Sequence, residues 1–126
     1  MKTTHFLPLF ALAIIQVHCS SSSETSQANG AKYGLTADQY TYVRLQTVKG
    51  GNLDFESKLD PTKLVIINDV AYNPRAAGLY AWARFIKKLG VPDKEKAIAL
   101  YEEVSSVTLR DSQRQAIRNG FDAKSD

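Results

Sequence analysis

From residue 35 onward, apolar and polar positions alternate in helical rhythm, cut into segments by strong start and stop residues. In "LTADQY", Thr36 stands as an N-cap with Gln39 three residues later, the spacing of a capping box. Leu35 and Tyr40 flank that cap as a hydrophobic staple. A helix is predicted from there to about Val48, ended by Gly50 and Gly51. "LDPTKLVIINDVAYNP" places Asp60 as a cap and Pro61 at a first helical position, with Leu64, Ile67, Val70 and Ala71 on one face. A second helix is expected there, ending before Pro74. The β-branched run "KLVII" and the segment "YTYV" supply the alternative, short strands near 41–48 and 63–67.

The next segment, "NPRAAGLYAWARFIKKLGVP", carries the densest signals. Asn73 caps, Pro74 occupies the first turn, Lys87 and Lys88 complement the helix dipole, and Gly90 ends the helix. Between Ala76 and Ile86 only Arg84 is charged, so this helix is predicted to be central, with Leu79, Trp82, Phe85, Ile86 and Leu89 in the core. In "PDKEKAIALYEEVSSV", Asp93 is the expected cap and Ala97, Leu100, Tyr101 and Val104 form one stripe. The last segment, "TLRDSQRQAIRNGF", offers Thr108 as a cap and turns Leu109, Ile117 and Phe121 inward. Together these predict an all-α fold, a small bundle of about five helices joined by short loops, over residues 35–121, with a frayed tail at 122–126. "KEKAIALYEEV" has the spacing of one helix of a tetratricopeptide repeat. Its preceding helix puts Phe85 where that repeat needs a small residue, and one copy makes no solenoid.

Ahead of this domain the pattern is different. Residues 1–5 carry one positive charge and residues 6–17, "FLPLFALAIIQV", are apolar apart from Gln16. Helical, that run would rise about 18 Å, short of the ~30 Å hydrocarbon core of a bilayer. A basic start and a short apolar stretch form the layout of an export signal. A polar, Ser-rich stretch, "SSSSETSQANG", follows. The run "ALAII", then "QVHC", then that Ser-rich stretch, resembles the signal segment of the bacterial lipoprotein family. Gln16 and His18 depart from its usual box, while Ile15 and Val17 fit relaxed forms of it. The resemblance covers residues 1–30 and implies a signal peptide at 1–18 and lipid on Cys19. Residues 19–34 then form a flexible tether that holds the domain off a membrane. The implied location is the cell envelope, as an outer-membrane or surface lipoprotein. The alternative is ordinary cleavage and secretion without lipid.

Residue counts narrow the chemistry. Cys19 is the chain's one cysteine, and the two histidines, His5 and His18, lie in the leader. A chain from Ser20 onward therefore has no imidazole or thiolate for a catalytic triad, a covalent thiol mechanism or a zinc site, and no internal disulfide. No nucleotide-binding glycine loop or EF-hand spacing occurs, and no metal or cofactor is expected. Carboxylate pairs remain as a weak hydrolase alternative: Asp54 with Glu56, and Glu102 with Glu103. Such neighbours more often mark a solvated face. The net charge of +3 is too small to indicate nucleic acid. The one patterned polar feature is Arg110, Arg114 and Arg118, which line one helix side as a candidate anion- or partner-binding stripe. The expectation is an exported, lipid-anchored, non-catalytic domain that binds an envelope component or a host partner, an unknown protein or an anionic surface. A secreted small effector or inhibitor is the alternative.

Overall fold

The computed structural model describes residues 25 and 27–124. The predicted signal peptide, Cys19 and the start of the tether lie outside the described residues. Five α-helical segments, one 3-10 turn (Glu56–Lys58) and one short hairpin make up the described fold, a small helical bundle. Residues 25 and 27–31 form the described part of α1. They are followed by α2 (Ala37–Gln46), the hairpin strands β1 (Val65–Ile67) and β2 (Val70–Tyr72), and then α3 (Pro74–Leu89), α4 (Lys94–Ser105) and α5 (Asp111–Asp122).

The predicted capping box is in place. The Gln39 amide N–H donates to Thr36 Oγ1 at 3.1 Å, and the Thr36 N–H donates to Gln39 Oε1 at 3.0 Å. Leu35 and Tyr40 are both buried on either side of it. The tether expected at 19–34 ends earlier than the sequence suggests. Residues 27–31 are helical and Tyr33 is buried in the core.

The helix expected after Asp60 is instead a hairpin. Val65, Ile66 and Ile67 pair antiparallel with Tyr72, Ala71 and Val70. Asn68 and Asp69 turn the chain with φ of 49° and 66°, the two left-handed positions of a type I′ turn. Asp60 caps a turn rather than a helix: its Oδ1 accepts from the Thr62 N–H at 2.9 Å and the Thr62 hydroxyl at 2.7 Å. Two residues of left-handed tolerance between β-branched runs outweigh an Asp-Pro start.

The central helix is as predicted. Asn73 Oδ1 accepts from the Ala76 N–H, Pro74 opens α3, and Gly90 closes it at φ 117°, a conformation that favours glycine. Leu79, Trp82, Ala83 and Ile86 are buried; Phe85 and Leu89, expected in the core, lie half-buried at its margin. Asp93 caps α4 through the Lys96 N–H, and Ala97, Leu100 and Tyr101 turn inward.

α5 starts later and ends later than expected. Its N-cap is Arg110, whose N–H donates to Gln113 Oε1 at 2.9 Å, rather than Thr108. It runs through Gly120 to Asp122, a residue the sequence assigns to the frayed tail. α5 packs along α3, and a Cβ at Gly120 would collide with the Tyr80 carbonyl. Glycine there permits the closest approach of the two helices. Ile117 and Phe121 are buried beside it.

Candidate functional site

The arginine stripe does not stand free. Arg114 reaches across to α4, with Nη2 3.1 Å from Glu102 Oε2. Its Nη1 lies 4.0 Å from Asp111. Arg118 meets Glu95 through Nε at 2.9 Å. Arg110, the helix cap, is exposed. The spacing that put three arginines on one side of α5 therefore puts two of them against carboxylates of α4, where they tie the helices together.

The acidic pairs separate as well. Glu102 Oε2 accepts from the Leu109 N–H at 2.7 Å, and this bond, with Arg114, holds its carboxyl below the ordinary range against the opposing effect of burial. Glu103 faces the other way. It receives the Tyr40 hydroxyl at 2.7 Å, the Tyr33 hydroxyl at 3.0 Å and Lys32 Nζ at 3.2 Å. Burial works to raise the Glu103 pKa, and those three donors outweigh it, leaving the group lowered. Burial, then the bond to Glu103, pushes each phenol up to about 12. The carboxylate fastens the entry of the chain, residues 32–40, onto α4.

Asp54 and Glu56 do line one groove. It has a volume of about 720 Å³ and runs between the 47–61 loop and the facing ends of α3 and α4. Asp54 accepts from the Ser57 hydroxyl and from the Gly50 N–H, which lower its pKa. An acid so held is ionised at neutral pH, so it serves as a turn acceptor rather than a proton donor. Glu56 lies 3.4 Å from Arg75 Nη1. The same Nη1 donates to the Tyr101 hydroxyl at 2.9 Å, and the guanidinium stands 5.5 Å from that ring's centroid. Val48, Leu59 and Val104 supply the apolar part of the lining. Arg75 is thus a half-buried cation at the foot of an open, mixed groove. Its place in the first turn of α3 gave no sign of this, because its partners come from α4, 26 positions on, and from the turn at Glu56, 19 positions back.

A second groove of about 660 Å³ separates the hairpin from α3 and α5, floored by Tyr72 and Tyr80 and walled by Ile67, Val70, Arg84 and Lys124. Among the described residues no three His, Cys, Asp or Glu side chains gather as a metal site. No described helix is long and apolar enough to cross a membrane. Comparison with family models, with curated proteins and with solved structures gives no match for this chain.

Proposed function

We propose that the chain is exported and held at a membrane by lipid on Cys19, presenting a non-catalytic helical domain that binds a component of the cell envelope or a host protein. One observation carries the reading. The chain's sole cysteine stands where the apolar leader meets the Ser-rich stretch. Two or more acyl chains on that residue would anchor stably, where a single chain holds only marginally. The groove beside Arg75 is the candidate partner face. It offers two cations, Lys49 and Arg75, two carboxylates, several hydroxyls and an apolar wall, a surface suited to recognition.

The test is detergent phase partitioning together with intact N-terminal mass, on the wild type and on Cys19→Ser, in a bacterial host with lipoprotein-processing enzymes. The expected result is an acyl-glyceryl mass on Cys19, partitioning into detergent, and loss of both in the variant. An unmodified N-terminus at Ser20 with both proteins soluble would replace this reading with the secreted effector or inhibitor. The departures at Gln16 and His18 favour that second reading.

A further inference from the structure

Of the cations that form no ion pair among the described residues, four gather beside α5, where Lys87 Nζ also stands 5.5 Å from the centroid of the Phe121 ring. Arg84, Lys87 and Lys88 share one side of α3, at i, i+3 and i+4. Together with Gly120 and Ala123 of the α5 end they line a hollow of about 230 Å³. Arg84 and Ala123 also line the 660 Å³ groove, where Lys124 joins them. The two hollows thus share Arg84 and Ala123 in their walls. None of these four cations forms an ion pair among the described residues. Asp122 is the one carboxylate lining either hollow among the described residues, and Lys94 neutralises it at 2.7 Å. Helix-dipole compensation accounts for Lys87 and Lys88 in the last turn, but not for Arg84 a turn earlier or for Lys124 beyond α5.

Two further observations bear on what this surface meets. Ile67 and Val70 wall the same groove, and Val70 is 47% exposed, so aliphatic carbon sits beside the charge. The entry of the chain into the domain is at the same end of α3. A Cβ at Gly34 would lie 3.3 Å from Pro92 and 3.4 Å from the Gly90 carbonyl, and Gln39 Nε2 donates to the Leu89 carbonyl. Cys19 precedes Gly34 by fifteen residues, so lipid there would hold the domain close to a bilayer.

We propose that the surface formed by Arg84, Lys87, Lys88 and Lys124, with Ile67 and Val70 beside it, docks on the anionic phosphate headgroups of a bilayer. Nearness to a bilayer rests on the anchored reading, while the headgroup affinity belongs to the domain itself. Lysine and arginine close to an anionic surface each strengthen partitioning roughly five-fold, and within about a Debye length the contributions accumulate. The lipid would then set the distance and the cations the face that lies down.

The experiment uses the unlipidated chain from Ser20 to Asp126, which retains the whole described core, Tyr33 to Phe121. Cosedimentation is measured with phosphatidylcholine vesicles and with vesicles also containing phosphatidylglycerol. Binding is expected on the anionic vesicles only, weakening with salt. R84Q/K87Q/K88Q/K124Q should lose roughly 100-fold or more in partitioning. R44Q/K49Q/K58Q/R110Q, which removes the same charge from positions lining neither hollow, should retain most of it. Equal loss in both variants, or no binding to anionic vesicles, would overturn the proposal. So would full competition by soluble glycerol phosphate, which would mark an ion site, or equal affinity for polyglutamate, which would mark a site for acidic proteins. Because no lipid is attached, failure here leaves the N-terminal mass result standing, and the converse holds.

Discussion

Tyr40 gives its hydroxyl to Glu103 Oε2 at 2.7 Å while Tyr33, its ring parallel to that of Tyr40, gives its own to Oε1. The contact joins residues more than sixty positions apart and closes the N-terminal part of the domain onto α4. Its consequence is a pH signature at both extremes. Glu103 has a lowered folded pKa, so its contribution to stability is complete above the unfolded value of 4.5 and is lost as pH falls through the lower folded value. The phenols have raised values, so their contribution is complete below 10 and is lost between 10 and about 12. Urea midpoints across pH should show both declines. Y33F/Y40F should flatten them and cost about 1 kcal/mol at neutral pH, a charge-assisted bond discounted for solvent screening. Unchanged pH dependence in the double variant would remove the clamp.

Gly120 and Gly50 should respond differently to alanine. At Gly120 the new methyl meets the Tyr80 backbone, which does not move aside as a side chain tip does. Gly120→Ala is expected to cost about 2–3 kcal/mol by forcing α3 and α5 apart. At Gly50 nothing lies within 4 Å, and the cost, about 1 kcal/mol, comes from φ 86° alone. Denaturant unfolding of the two variants distinguishes overpacking from backbone strain.

The hairpin turn is open to improvement. Asp69 sits at φ 66°, where glycine is at ease. Asp69→Gly should stabilise the domain by about 0.5 kcal/mol, a rise of a few degrees in melting temperature. A fall would show that the Asp69 side chain holds the turn in some other way.

The hairpin also marks where sequence reading gave way. Every α3 signal was local: Asn73, Pro74 and Gly90 act on their own backbone, so they read correctly without knowledge of the neighbours. Asp60 and Pro61 are equally local, but they suit a turn as well as a helix start, and the deciding residues were Asn68 and Asp69 farther on. The arginine spacing on α5 was also legible, while its partners were not. Glu95 and Glu102 come from another helix, and only packing reveals that the stripe faces them. For the same reason Lys87 and Lys88, plain in the sequence as dipole partners, were seen to line a hollow with Arg84 only when α5 was laid beside them.

The two ion pairs between α4 and α5 should differ in weight. Glu102 holds both Arg114 and the Leu109 N–H, so Glu102→Ala removes a link and a cap from a half-buried position, at about 1 kcal/mol. Arg118→Ala breaks a pair whose Glu95 is mostly exposed, and its smaller effect should vanish in high salt. Melting temperatures at low and high salt separate them. A large, salt-resistant loss for Arg118→Ala would mean that its aliphatic stem, rather than its charge, carries the contact.

Thr47 connects the core to the candidate partner groove. Trp82, the chain's one tryptophan, is buried at 1% exposure, packs edge-on to Tyr101 at 5.0 Å, and donates its indole N–H to Thr47 Oγ1 at 3.1 Å. Thr47 also lines the Arg75 groove, so one hydroxyl anchors the groove's wall to the core. Thr47→Val keeps the shape and removes the acceptor, leaving a buried indole N–H unpaired at a cost of about 1–3 kcal/mol. Thr47→Ser keeps the acceptor and should cost far less. Tryptophan fluorescence reports unfolding directly, because no other indole contributes. If Thr47→Val unfolds at the wild-type midpoint, the 47–61 loop is held by its apolar contacts instead, and the groove's shape does not depend on this bond.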